Sequence, residues 1–333
     1  MKRTKVYILM LLIVSLIGMS QELLAKEKLA QTGMMFLSVG TDARAAGMGD
    51  AATALTMNSG ALFYNPSTMA NLGAMTDLSF TQVNWIADMK LNAIAACFSP
   101  FSGKYGVFGI SVLSIDYGDV LGTLAWNNSD GYIDTEILKP SALAIGIGYA
   151  RALSDKFAVG GQVKMVYENL GKSVTQDDNS EYHTKRNACN TIAADFGTEF
   201  KTGFKSMVFS MSVRNFSTDV KYENDNFQLP MTFRIGMAMN LMDFWKNADQ
   251  QPHSLLCGIE ALHPRSHSEQ VNLGLEYGFS KMFFVRTGYM YNMDDTAMSY
   301  GFGLKKFGLA IDYAYTPFDI LDNVQRVTLR FAY

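Results

Sequence analysis

The chain has 333 residues, of which 48% are hydrophobic and only 18% charged, with a formal net charge of −3. That length suits two ordinary domains or one large barrel, and the charged fraction lies below that of an ordinary soluble domain. With no basic cluster to track a phosphate backbone, nucleic acid is not expected as a partner.

The first element expected is an export signal. Lys2, Arg3 and Lys5 precede an apolar run from Tyr7 to Met19, and the small residues Gly18 and Ser20 permit cleavage before Gln21, with a second site at Ala25. The run is too short to span a bilayer comfortably, so residues 1–20 read as a secretory signal peptide. No later stretch reaches the ~18 consecutive apolar residues of a membrane helix. Any membrane insertion must therefore be by strands.

Residues 21–75 form a leader followed by a segment unlike the rest. Ala, Gly and other small residues dominate from Gly40 to Leu55, without strand alternation. This reads as one or two short helical turns broken by Gly40, Gly47 and Gly49 and able to pack closely on other backbone. Asn65 before Pro66 marks a turn, and Pro66 is suited to open a short helix over 67–72.

From Thr76 the period changes to two. Strands are expected at 76–86, 89–99, 104–116, 140–152, 155–169, 188–201, 205–216, 230–242, 253–263, 269–279, 282–292, 296–306, 307–316 and 323–333. Each matches the ~9–11 residues of a tilted membrane-spanning strand. In the last one, Val327, Leu329, Phe331 and Tyr333 lie opposite Arg326, Thr328 and Arg330, so the chain ends on an outward aromatic, Tyr333. Bacterial outer-membrane barrels end in this way, and the terminal aromatic is expected to serve barrel assembly. Alternation alone suits a soluble sandwich equally well. The export signal, the terminal aromatic and the strand lengths decide for a barrel. The 16 Tyr and 22 Phe suit interfacial belts, and many of the 28 Gly fall inside strands, where they permit bends and close backbone approach.

Tight turns are expected at 153–154, near Gly203, at 280–281 and at Asp294-Asp295. Long polar links are expected at 117–139, 170–187, 217–229, 243–252 and 317–322. The charged strand faces would look into the lumen, with Glu199, Arg234, Glu260, Glu276, Arg286, Arg326 and Arg330 as candidate lumenal charges. Cys97, Cys189 and Cys257 fit either one bridge plus a free thiol or three free cysteines. His263 and His267 are separated by Pro264, which prevents a helical metal pair. The Gly-Xaa-Gly fragments lie within strands, not at phosphate-binding turns, and no nucleophile elbow occurs. No enzyme activity, metal or cofactor is expected.

The run from Phe36 to Ala51, FLSVGTDARAAGMGDA, followed by Phe63-Tyr64-Asn65-Pro66-Ser67, resembles the N-terminal motif of the PorV/PorQ family. The stretch from Leu229 to Gly236 resembles a later strand of that family. The resemblance is concentrated near the N-terminus and diffuse beyond it, and Ser67 stands where the family usually has Ala. It implies a FadL-type outer-membrane barrel of fourteen strands with an N-terminal plug in the lumen, acting in type IX protein export. Gly40, Arg44, Gly47, Gly49, Asn65 and Pro66 would belong to the plug. The expected architecture is therefore all-β: a transmembrane antiparallel barrel of about fourteen strands over 76–333 with a short helical plug. We expect a monomer in the outer membrane of a Gram-negative bacterium, in contact with lipid and with exported proteins or secretion-complex subunits. The alternative function is a FadL-type channel for hydrophobic small molecules. On purely physical grounds, Arg44 would pair with a lumenal carboxylate such as Glu199, Glu260 or Glu276, or else face periplasmic water.

Overall fold

The computed structural model describes residues 32–176, 182–222, 225–245, 252–293, 297–318 and 322–333. The expected signal peptide lies outside them. Period-two alternation produces eighteen strands: β1 (Thr76–Asn84), β2 (Lys90–Phe98), β3 (Val107–Asp116), β4 (Val120–Ala125), β5 (Tyr132–Leu138), β6 (Ser141–Ala152), β7 (Phe157–Gln176), β8 (Tyr182–Lys201), β9 (Val208–Phe216), β10 (Val220–Tyr222), β11 (Asp225–Phe227), β12 (Thr232–Asn240), β13 (His253–Pro264), β14 (Gln270–Phe279), β15 (Phe283–Tyr291), β16 (Met298–Lys306), β17 (Leu309–Thr316) and β18 (Val324–Ala332). Fourteen of them close into one antiparallel barrel. The last strand seals it against the first, with Leu78 opposite Phe331 and Phe80 opposite Leu329. Tyr333 exchanges two backbone hydrogen bonds of 2.9 Å with Thr76, and its side chain stays exposed. Closure leaves no free edge in the wall, which is the condition for crossing hydrocarbon with strands.

The two faces of the wall differ as alternation demands. Ile147, Val163, Ile192 and Val285 point outward with more than half their surface uncovered (57–69%), whereas Gln162, Lys164 and Glu276 point inward and are buried. A continuous apolar exterior of this extent is unstable in water and matches the hydrocarbon band of a transmembrane barrel. Among the described residues, no helix is long and apolar enough to cross a membrane.

The rims are unequal. One carries tight connections, such as Phe307-Gly308 (φ +52° and +79°), whose two positive φ values are those of a two-residue hairpin. The other carries the long connections, and two of these fold further than polarity suggested. The 117–139 link contains the hairpin β4–β5, and the 217–229 link contains β10–β11. The 170–187 link prolongs β7 and β8 into a ribbon past a bulge at Gly171 (φ +94°). The expected sorting of connections also needs correction. The 240–253 connection, read as long, lies on the tight-turn rim. Asp294-Asp295 falls outside the described residues, in a connection (291–298) on the long-loop rim. Connection length alone does not decide the rim; strand parity does. Cys97, Cys189 and Cys257 are all free.

Candidate functional site

Residues 32–75 enter at the long-loop rim, where Gly33 N–H donates to Gln228 O at 3.1 Å, and leave at the tight-turn rim into β1. Between these points they fill the lumen. Thr41, Met48, Ala52, Met57, Leu62, Asn65 and Met69 are almost wholly buried.

Local chemistry builds the segment. Asp42 caps the single turn α1 (Ala43–Ala46), accepting from Arg44 N–H at 2.8 Å and Ala45 N–H at 3.2 Å. Gly49 takes φ +64°, a left-handed conformation open to glycine, and donates to Ser299 Oγ at 3.0 Å. Asn65 is the polar pivot: its Oδ1 accepts from Ser67 N–H at 3.1 Å and Ser67 Oγ at 2.7 Å. Its amide donates to Thr53 O at 2.9 Å and Thr198 O at 3.3 Å. Pro66 opens the expected short helix, which is a 3₁₀ helix over Pro66–Asn71.

The segment lies against a belt of strand glycines. A Cβ on Gly301 (β16) would stand 3.0 Å from Gly47 Cα, one on Gly274 (β14) 2.5 Å from Met48 O, and one on Gly258 (β13) 3.0 Å from Ala51 O. A Cβ on Gly160 (β7) would stand 2.6 Å from Ser67 N, and Cβ atoms on Gly288 and Gly197 would overlap Gly49 and Asn65 outright. Side chains at these wall positions would push the segment off its seat.

Ion pairs pin the same segment. Arg44 makes a two-pronged contact with Glu276, Nε–Oε2 at 2.8 Å and Nη2–Oε1 at 2.9 Å, and Arg286 reaches the same carboxylate at 2.6 Å and Asp312 at 2.6 Å. Of the three carboxylates considered for Arg44, Glu276 is its partner. Glu260 instead accepts from Arg234 (2.9 Å) and from Thr53 N–H (2.8 Å), and Glu199 accepts from Asn71 (2.7 Å). Arg330 bonds Asp42 at 2.9 Å, and Arg326 donates to Gly40 O at 3.0 Å and Thr316 Oγ1 at 2.9 Å. Asp42, Asp77, Asp195 and Arg214 were not singled out. The N-cap position before Ala43 and the inward parity shared by Asp195 and Glu199 were the signals for two of them. At the centre, Tyr64 O–H donates to Asp50 at 3.1 Å and accepts from Asp42 N–H at 3.2 Å. Burial, followed by the charges of Asp50 and Asp42, pushes this phenol well above its ordinary pKa and keeps it a donor.

Cavities lie on both sides of the plug and differ in character, and on the long-loop side a more polar one lined by Arg234, Gln270 and Asn272 adjoins the apolar one. On the long-loop side, a cavity of about 380 Å³ is lined largely by apolar groups, among them Phe36, Val39, Trp85, Met89, Ile115 and Phe318. Trp85 meets Phe318 edge-on at 5.9 Å, and Arg326 lies 5.5 Å from the Trp85 ring centre. On the tight-turn side, a cavity of about 290 Å³ is lined by Arg44, Glu276, Arg286, Lys305, Asp312 and Arg330. Among the described residues, no cluster of His, Cys, Asp and Glu has the spacing to hold a metal ion.

The barrel fold is shared with solved outer-membrane structures. The toluene transporter TodX of Pseudomonas putida superposes with a TM-score of 0.55 at 11% identity, covering 86% of this chain and 95% of that one. A FadL homologue of Pseudomonas aeruginosa gives 0.51 at 10% identity, covering 88% and 99%. Identity this low establishes the fold alone. No protein-family model matches the sequence, and no curated protein matches it.

Proposed function

We propose that this protein is a non-enzymatic outer-membrane channel of a Gram-negative bacterium that takes up hydrophobic small molecules from the long-loop side. The observation that carries the reading is the outer chamber, an apolar, aromatic and methionine-rich hollow open toward the loops and floored by the plug. Binding pockets for apolar ligands are lined in this manner, with few polar groups to fix orientation. Methionine adds a polarisable, adaptable wall that accepts varied shapes. One structural neighbour, TodX, is a toluene transporter, which is consistent with this class of cargo.

A second reading is a component of protein export, as the resemblance of residues 36–51 to the PorV/PorQ motif implies. Its structural support is the β4–β5 hairpin, which carries exposed Val120, Leu121, Tyr132 and Ile137 beyond the barrel. Partners would dock on such loops, because the plugged lumen has no space for a polypeptide. The apolar chamber serves no purpose in that reading, so transport is preferred.

Trp85 tests the preference. Three tryptophans occur, and Trp126→Phe with Trp245→Phe leaves Trp85 as the sole indole. Titration with a neutral naphthalene dye should quench it saturably, and Met89→Arg should abolish the quenching. Linear, unsaturable quenching that Met89→Arg leaves unchanged would refute the transport reading.

A further inference from the structure

The tight-turn rim carries a pattern that the transport reading does not use. Each tight connection on this rim has a lysine in it or at its edge: Lys104 between β2 and β3, Lys156 between β6 and β7, Lys205 between β8 and β9, Lys281 between β14 and β15, and Lys306 closing β16 before the turn to β17. All five are exposed. Beside each stands an uncovered apolar side chain. Phe101 is 78% exposed next to Lys104, Leu153 62% near Lys156, Phe204 53% next to Lys205, Phe283 45% near Lys281, and Phe307 88% next to Lys306. Two lysines lie over rings: Lys104 Nζ is 5.7 Å from the Tyr105 centre, and Lys306 Nζ is 5.0 Å from that of Phe307. Among the described residues of these five connections, the only acid is Asp155; Asp243 stands in the neighbouring connection after β12, where its backbone O accepts from Lys205 Nζ at 2.8 Å. Asp243 is occupied by Ser206 N–H at 2.9 Å. The opposite rim is different: Asp88, Asp119, Asp130, Asp134, Glu136 and Asp219 stand among its cations.

We infer that this rim is a collar that binds anionic phospholipid headgroups of the leaflet it faces. Two observations select a membrane as the occupant. The apolar tips continue the outward hydrophobic band of the barrel, so they lie where acyl chains give way to headgroups, the depth at which aromatic side chains gather. The lysines stand one step beyond them, at the level of lipid phosphates, with long stems able to lie along apolar neighbours while the ammonium meets the phosphate. A basic group at a membrane surface attracts anionic lipid, and here five are spaced around the circumference. The inference rests on the strands crossing a membrane and is independent of what the outer chamber binds.

Electron spin resonance of spin-labelled lipids in reconstituted vesicles measures the preference directly. Against a phosphatidylcholine background, labelled phosphatidylglycerol should associate with the intact protein about fivefold more strongly than labelled phosphatidylcholine, the preference that one lysine gives the headgroup touching it. The preference should shrink as salt is raised from about 50 mM to about 500 mM, because screening shortens its reach. The five-site variant K104E/K156E/K205E/K281E/K306E should lose it, whereas K90E/K139E/K172E on the opposite rim should keep it. Heat-modifiable gel mobility identifies folded barrels. If the five-site variant does not fold, the pair K156E/K281E, at two separate turns, should reduce the preference partially. Absence of preference in the native protein overturns the inference, as does full preference in a folded collar variant. Lysine-dependent capture by peptidoglycan with no lipid preference also overturns it, assigning the collar to the wall polymer.

Discussion

The two chambers differ more than any other neighbouring parts of this molecule. Above the plug lie mainly aromatic and thioether side chains, with Asp50 and Arg326 among them; below it lies a chain of guanidinium groups and carboxylates. Many contacts hold the plug between these environments as a partition that any passage would have to displace or bypass. Its backbone rests on wall glycines and its carbonyls and amides are spent on wall side chains, as with Arg326 on Gly40 O and Thr53 N–H on Glu260. The difference between chambers is thus maintained by the seat of the plug.

Five changes probe that comparison. The largest effect is expected from Glu276→Ala, which leaves Arg44 without its carboxylate and Arg286 with Asp312 alone. Breaking a buried pair by removing one partner costs about 3–5 kcal/mol, to be read as a fall in unfolding midpoint of the refolded barrel. Ile147→Arg attacks the outer face, and an arginine near the mid-depth of the apolar band costs about 2–4 kcal/mol. By contrast, Gln162→Lys on the lumenal face of the next strand should cost clearly less in the same unfolding assay. Equal costs would contradict the assignment of faces. Gly288→Ala puts a methyl into Gly49 and should cost about 1–3 kcal/mol as overpacking, with new proteolytic cleavage in residues 40–60 as the plug lifts. Asn65→Ala removes the cap of the turn Pro66–Asn71 and should cost about 1 kcal/mol while leaving barrel mobility on gels unchanged.

Much of this architecture was legible because alternation carries it. Val271, Leu273 and Leu275 opposite Asn272 and Glu276 specify which side faces lipid, and a one-residue slip would invert every one of them. The expected strands coincide with the barrel strands to within a few residues except at β7 and β8, where Lys172–Gln176 and Tyr182–Arg186 pair beyond the barrel. Their polarity suggested solvated loop, and a two-stranded ribbon with both faces in water carries no alternation to read. The hairpin β4–β5 was hidden for a related reason: a bulge between Leu121 and Thr123 breaks its period. At the site, the sequence left Arg44 either paired with a lumenal carboxylate or facing periplasmic water, and the choice of Glu276 over Glu260 depends on where the plug sits along the barrel axis. The glycine belt shows the same limit. Gly274 and Gly288 lie directly opposite each other across β14 and β15, a fact of register invisible in either strand alone. Each glycine by itself reads as a bend or a close backbone approach, without saying what approaches.

The central claim is that residues 40–72 close the barrel as a partition, and planar-bilayer conductance of the intact protein tests it most directly. The account predicts an essentially silent membrane at moderate voltage, with conductance arising only when the seat is disturbed, as in Gly288→Ala combined with Glu276→Ala. A large, steadily open channel formed by the unmodified protein would contradict it.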